Sequence, residues 1–286
     1  MNGLKSVVSR RPVASFVALT YAISWSIWLR LSQATSDPSF VMVLPGAFGP
    51  AIAAAIVVSL TGGSLRTWVR EMATWRVAPR WYLAALGLPI LFAGTETVAY
   101  AAFVGPLEPS VLPRRVVFWF ATFLFAVTVG GGIEEPGWRG FMQPRLQRSY
   151  SAVSAAVLVG LVWTVWHLPL HVFLPSLGGG LVEGVFSRIA TVPLAIVYAW
   201  LYNETEGSVL IAMLLHGGWN SAQTLVPATG TVGAESATYT ITVLWSARLA
   251  VLLVVVGLLL FVYNTDSLAS TDRHTPTEYD TTKPPE

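Results

Sequence analysis

Eight long apolar runs divide this chain, and they restrict its fold more than any other feature. They lie at residues 13–31, 41–60, 81–104, 116–133, 151–172, 185–202, 208–226 and 242–263. A helix needs about 20 apolar residues to cross the hydrocarbon core of a bilayer, which is roughly 30 Å thick. The runs therefore predict an all-α polytopic membrane protein with about eight transmembrane helices.

The composition agrees with a membrane location. Of the 286 residues, 54% are hydrophobic and only 11% are charged, whereas soluble globular proteins carry about 25% charged residues. The absence of cysteine excludes disulfides, thiolate zinc sites and cysteine nucleophiles. Lysine and arginine are scattered between the apolar runs, so we expect membrane lipid as a partner and no nucleic acid.

The connections between the runs predict the orientation of the chain. Lysine and arginine accumulate in cytoplasmic loops. Here twelve of them lie on the side of the two termini and two on the opposite side, so we expect a multi-pass protein of the cell membrane with both termini in the cytoplasm. Residues 1–263 are predicted to form one membrane-embedded helical domain, and the polar segment 264–286 a disordered tail.

Ionisable side chains occur inside several of the runs, where a charge costs about 2.5–3.5 kcal/mol near the centre of a span. They are Arg30, Glu96, Glu134, Glu135, His167, His171, Arg188, His216 and Arg248. We expect Arg30, Arg188 and Arg248 to extend towards the nearer membrane surface. Glu96 is compatible with a neutral, hydrogen-bonded structural acid.

Six polar residues of three runs form a pattern. They are Glu134 and Glu135 at the end of the fourth run, His167 and His171 at the end of the fifth, and His216 and Asn220 on one face of the seventh. At 1.5 Å per residue, Glu134, His167 and His216 lie about 15, 24 and 12 Å above the inner connections. With ordinary tilts they converge, so we predict a polar cavity within the membrane, around which the helices are arranged.

These residue types are suited to the hydrolysis of an amide bond. A carboxylate and an imidazole can hold and deprotonate a water molecule, while a second imidazole and an amide can donate hydrogen bonds to an oxyanion. The sequence contains neither a G-x-S-x-G turn nor an H-E-x-x-H zinc helix. Pro169 separates His167 from His171, which disfavours that pair as a self-contained metal site.

Three short motifs resemble those of the CPBP family of intramembrane proteases. This family comprises the type II CAAX prenyl endopeptidases and bacterial bacteriocin-processing or immunity proteins, and is also called Abi. The motifs are Glu134-Glu135-Pro-Gly-Trp-Arg139-Gly140, Trp163-Thr-Val-Trp-His167 and His216-Gly-Gly-Trp-Asn220. The resemblance covers roughly residues 85–225 and implies an intramembrane endopeptidase acting on a membrane-associated peptide or protein, whether lipidated or leader-bearing.

The resemblance implies a role for each of four residues. Glu134 and His167 would activate the attacking water, and His216 and Asn220 would form the oxyanion site. On this interpretation no cofactor is required. A zinc alternative remains, in which Glu134, His167 and His216 supply three ligands and leave one position open.

Two further residues complete the implied site. Glu135 and Arg139 are four residues apart and can pair along one helical turn to orient it. Pro136 disfavours helical geometry at Glu135 and is expected to kink the helix there. Trp163 stands where the family often has phenylalanine and keeps an aromatic ring.

Two other functions remain open at this point. In a proton-coupled transporter, Glu96, Glu134 and His167 would relay protons, although the sequence has no internal repeat. In a non-catalytic immunity or scaffold protein, the acids with Arg139 would be a buried ion pair, and the segment 216–220 a close helix contact.

Overall fold

A computed structural model of the chain describes residues 2–35, 37–174, 180–227 and 234–270. Within these ranges the regular elements are helices and no strand is formed, which confirms the all-α prediction. Most of the expected tail, residues 271–286, lies outside the described residues.

Fourteen α-helical segments follow one another in the described parts of the chain. The first seven are α1 (Asn2–Arg10), α2 (Pro12–Ala34), α3 (Phe40–Ala47), α4 (Gly49–Leu60), α5 (Leu65–Met72), α6 (Pro79–Phe103) and α7 (Leu112–Thr128). The others are α8 (Glu135–Gly137), α9 (Gln143–Leu146), α10 (Ala152–Trp166), α11 (Leu168–Phe173), α12 (Gly180–Glu204), α13 (Val209–Ser221) and α14 (Ala234–Val262).

Six of the described helical stretches are long and apolar enough to cross a membrane. They are Pro12–Ala34, Phe40–Leu60, Pro79–Phe103, Pro109–Leu146, Ala152–Phe173 and Thr238–Val262. The predicted runs 185–202 and 208–226 are also helical, in α12 and α13, but they are not among these six. Helix α13 has only 13 residues and is too short to cross a membrane by itself. Of the eight expected spans, six are therefore found among the described residues.

The fourth run is not one helix that ends in two acids, as the sequence suggested. Helix α7 ends at Thr128, and Gly131 then adopts a φ of 146°, which a side chain would make unfavourable. A second helical stretch begins with the 3₁₀ turn Gly132–Glu134 and continues to Leu146. We call residues 132–146 the site ribbon, and the two acids stand at its start.

The prediction that Pro136 disfavours helical geometry at Glu135 was also wrong. Glu135 has φ −61° and ψ −32°, which is ordinary right-handed helical geometry. Pro136 is the second residue of α8 and has no N–H to donate to the carbonyl of Gly132. The N–H of Glu135 already donates to that carbonyl, so the carbonyl remains hydrogen-bonded. The irregular part follows instead as the π-helix Trp138–Met142, a form that is frequent at functional sites.

Residues 264–270 are ordered against the helices, in contrast to the expected disordered tail. The carbonyl of Asp266 accepts a 2.9 Å hydrogen bond from the N–H of Ala152 at the start of α10. The side chain of Asn203 donates to the carbonyl of Ser267 at 2.7 Å, and Leu268 is fully buried. The folded part of the chain therefore extends to Ser270.

Arg248 does not extend to the membrane surface as predicted. It is 2% exposed, and its Nε and Nη2 lie 2.7 and 3.0 Å from the two carboxylate oxygens of Glu96. The guanidinium carbon lies over the rings of Trp219 and Trp245, 4.8 and 5.1 Å from their centroids. This ion pair joins α14 to α6, so Glu96 is paired with a cation.

We expect Arg248→Met to destabilise the bundle, because it leaves the buried carboxylate of Glu96 without its cation. Loss of one partner of a buried pair costs about 3–5 kcal/mol. Thermal unfolding of the purified protein in detergent measures this loss. The double variant Glu96→Gln/Arg248→Met should recover part of it, and a single variant as stable as the wild type would contradict the prediction.

Candidate active site

A polar cavity of about 270 Å³ lies where the site ribbon meets α10 to α14. It is lined by Glu134, Trp163, His167, Leu170, His171, Ser187, Arg188, Thr191, Leu194, His216, Trp219, Asn220, Gln223, Trp245 and Arg248. The predicted convergence of Glu134, both fifth-run histidines, His216 and Asn220 is therefore confirmed. Glu135 and Arg139 do not line the cavity but lie behind its wall.

Glu134 presents its carboxylate to this cavity while two indoles hold one of its oxygens. Oε2 accepts hydrogen bonds from Nε1 of Trp163 at 2.8 Å and from Nε1 of Trp138 at 3.1 Å. The residue is only 5% exposed. Among the described residues, none donates a hydrogen bond to Oε1, so this oxygen remains able to accept a proton.

His167 lies in the turn between α10 and α11, and its hydrogen bond fixes the position of its proton. Nδ1 is 2.9 Å from the carbonyl oxygen of Trp163. A carbonyl can only accept, so Nδ1 carries the hydrogen. In a neutral ring the lone pair is then on Nε2. The sequence predicts His167 at the end of the fifth apolar run. In the structure α10 ends at Trp166, His167 follows it, and α11 begins one residue later with Pro169 as its second residue.

Glu135 is the centre of a fully buried charge cluster behind the cavity. Its carboxylate lies 3.0 Å from Nη1 of Arg139, which confirms the predicted pair one helical turn apart. It also lies 2.7 Å from Nδ1 of His216, a contact that the sequence did not predict. Because the carboxylate accepts, Nδ1 of His216 is protonated, and Nε2 is a donor only when the ring is a cation.

Aromatic faces complete the surroundings of Arg139, which is fully buried. Its guanidinium carbon lies 4.1 Å from the ring centroid of Tyr198 and 5.0 Å from that of Trp163. Such cation–π contacts stabilise a charge that has lost its water. Tyr198, which belongs to α12, was not identified from the sequence, because a tyrosine in an apolar helix has no distinguishing signal.

Asn220 lies one helical turn after His216, at the mouth of the cavity. Its Nδ2 donates a 3.0 Å hydrogen bond to the carbonyl of Gly130, and an amide nitrogen has a second hydrogen to donate. The backbone at Gly131 approaches both side chains closely. A methyl group built on Gly131 would lie 2.5 Å from Asn220 Nδ2 and 2.6 Å from His216 Nε2.

The residues of the zinc alternative, Glu134, His167 and His216, all line the cavity. Among the described residues no group of three His, Cys, Asp or Glu side chains is close enough together to hold one metal ion as the chain stands. Metal dependence therefore stays a prediction, to be tested by metal analysis. His171 lines the cavity as well and packs beside Gly184.

The two indole donors are the site residues that sequence reasoning missed. Trp138 is four residues after Glu134 and therefore within reach along a helix, which is a signal that the motif contained. Trp163 was read as a conservative aromatic replacement. Its N–H is a hydrogen-bond donor that phenylalanine lacks.

Two comparisons with known proteins bear on this site. The family model described as type II CAAX prenyl endopeptidase, Rce1-like, matches residues 116–222. A protein named CAAX prenyl protease 2, from Methanococcus maripaludis, is 24% identical in an alignment of 238 positions that covers 73% of this chain and 83% of the relative. Over residues 116–222 the chain is similar to the Rce1-like family, and the relative extends this similarity over most of the chain. The resemblance inferred from the three motifs is thereby confirmed.

The Rce1-like match contains every residue for which the motifs implied a role. It extends from α7 through the site ribbon to the end of α13, whereas α1 to α6 precede it. The family consists of CAAX prenyl endopeptidases, so its members are peptidases and act on peptide substrates. Together with the six candidate spans, the match is typical of an integral membrane protein.

We expect Gly131→Ala to disturb this site, because the new methyl group would overlap Asn220 and His216 and the φ of 146° disfavours any side chain. Strained backbone of this kind costs about 1–3 kcal/mol. Gly87→Ala in α6 is the control, since a methyl group there meets nothing within 4 Å. Thermal unfolding should separate the two variants, and equal stabilities would contradict the prediction.

Proposed function

We propose that the chain is an intramembrane endopeptidase that hydrolyses a peptide bond of a membrane-associated substrate. One observation carries the proposal: the carboxylate of Glu134, hydrogen-bonded through Oε2, and the imidazole of His167, hydrogen-bonded through Nδ1, line the same cavity as a second histidine and an amide. The match to a family of peptidases supports this interpretation.

In this proposal Glu134 and His167 activate the attacking water. Oε1 of Glu134 and Nε2 of His167 are both acceptors, so each can accept one of the two hydrogens of a water molecule. The oxygen lone pair is then directed at the substrate carbonyl. As the water oxygen attacks the carbonyl carbon, its proton passes to Glu134, which acts as the general base.

His216 and Asn220 stabilise the oxyanion of the tetrahedral intermediate. Asn220 contributes the N–H that does not bond to Gly130. His216 contributes Nε2–H when both of its ring nitrogens carry a hydrogen, while its Nδ1–H donates to the carboxylate of Glu135. The C–N bond then breaks, and the proton held by Glu134 passes to the leaving nitrogen.

Glu135 and Arg139 are positioning residues in this scheme, since neither lines the cavity. Arg139 pairs with the carboxylate of Glu135, and this carboxylate in turn accepts a hydrogen bond from Nδ1 of His216, so that Nε2 of His216 is on the side of the ring away from Glu135. The scheme uses no metal ion, and metal analysis of the purified protein tests that feature separately.

We also propose the substrate class from the relative's name. That protein is a CAAX prenyl protease, so a prenylated peptide with a C-terminal CAAX sequence is the first substrate to test. The orientation predicted from the positive residues, with both termini in the cytoplasm, would give the enzyme substrates at the inner leaflet. A farnesylated fluorogenic CAAX peptide and its unprenylated counterpart, assayed in proteoliposomes, separate lipid-dependent from general peptide cleavage.

We expect Glu134→Gln to abolish cleavage while the protein still folds. Loss of the general base lowers turnover by at least about 100-fold, and the amide preserves the shape of the side chain. The assay uses the farnesylated peptide, together with membrane peptidomics on cells that carry either form. Glu71→Gln in α5 is the matched control and should retain activity. Full cleavage by Glu134→Gln would refute the proposal and favour a scaffold or immunity role.

We expect Asn220→Ala to reduce kcat by about 10²–10³-fold, the range seen when one oxyanion donor is removed. The change in KM should be small, because the hydrogen bond to the oxyanion forms mainly in the transition state. Steady-state kinetics on the same peptide measure both constants. A variant that raises KM and leaves kcat unchanged would assign Asn220 to substrate binding instead.

A further inference from the structure

We propose that Trp138 and Trp163 are positioning residues that select which oxygen of Glu134 acts as the base. Their indole N–H groups hold Oε2, so that Oε1 is presented to the attacking water. The inference rests on the proposed function, because it assigns a part to each oxygen of the proposed general base.

The two hydrogen bonds reach the same oxygen from different parts of the fold. Trp138 is the first residue of the π-helix in the site ribbon, and Trp163 is in α10. Their Nε1 atoms lie 3.1 and 2.8 Å from Oε2. Two donors on separate elements restrict rotation of the carboxylate more than one donor would, and they leave Oε1 on the cavity side.

Packing makes both donors rigid. The ring of Trp138 is fully buried and contacts Phe16 and Trp166 edge to face, at centroid distances of 5.6 and 5.8 Å. The ring of Trp163 is 4% exposed and packs against His216 and Tyr198 at 5.3 and 5.8 Å. Neither indole can turn away from Glu134 without displacing these neighbours.

The chemistry of indole limits its role to orientation. Its N–H is a donor only, with no lone pair to accept a proton, so the two tryptophans cannot replace Glu134 as the base. A hydrogen bond to an ionised carboxylate is about twice as strong as one between neutral groups. Fixing the reacting oxygen in this way contributes to turnover by orientation.

The kinetic test compares three Trp→Phe variants on the farnesylated CAAX peptide. We expect Trp163→Phe and Trp138→Phe each to lower kcat about tenfold, with KM within about twofold of the wild type. The control is Trp200→Phe in α12, which removes the same atoms from a ring that packs against Trp81 and Tyr263 and does not line the cavity. Among the described residues its Nε1 has no hydrogen-bond partner, so its kcat should be nearly unchanged.

A more specific variant removes the hydrogen bond from Trp163 to Glu134 and keeps the shape of the ring. Site-specific replacement of Trp163 by 3-benzothienylalanine puts sulfur in place of the N–H. The same fall in kcat is expected, and thermal unfolding should show that the fold is intact. A benzothienyl variant as active as the wild type would overturn the positioning role, because the loss in Trp163→Phe would then come from packing.

An infrared measurement tests the same bonds without any substrate. The wild-type spectrum minus that of Glu134→Gln isolates the carboxyl band of Glu134. This band should shift in Trp163→Phe and stay in place in Trp200→Phe; an unshifted band, or a shifted band with unchanged kcat, would overturn the inference.

The two proposals can fail separately. If Glu134→Gln is inactive and Trp163→Phe behaves like Trp200→Phe, the positioning role fails alone. If Glu134→Gln cleaves normally, the proposed function fails.

Discussion

The arrangement of the site depends on the ion pair and the hydrogen bond that the carboxylate of Glu135 forms. This carboxylate is fully buried and bonds at once to Arg139 in the same ribbon and to His216 in α13. Buried charges are tolerated when they are paired and hydrogen-bonded. This pairing fixes the site ribbon against α13, and the indoles that hold Glu134 connect the same ribbon to α10. The polar groups of three helices therefore share one cavity.

Much of this site could be predicted from the sequence, because polar residues are rare enough in apolar helices to be noticed individually. The depth argument brought Glu134, His167 and His216 together, and the spacing of four predicted the bond between Glu135 and Arg139. Rules based on local sequence failed at Pro136. The rule that a residue before proline avoids helical geometry predicted a distortion at Glu135, because it takes no account of Pro136 standing in the first turn of α8.

The remaining features depend on partners that are distant in the sequence. Nothing near Arg248 indicates that Glu96, 152 residues away, keeps it from the membrane surface. The N–H of Trp163 likewise gains its importance only because Glu134 lies within 2.8 Å. The run 208–226 is long enough in the sequence for a span, but its α-helix α13 ends at Ser221 and has only 13 residues.

The two buried ion pairs have different consequences for biogenesis. Glu135 and Arg139 are neighbours on one helical turn, so the segment that carries them can enter the bilayer with its acid and its cation already paired. Glu96 lies in α6 and its cation in α14, 152 residues further along the chain. An acid without its counterion is costly in lipid, so Glu96 needs to be shielded from lipid until α14 has been inserted. The contact between α6 and α14 therefore forms only after the helices between them have been made.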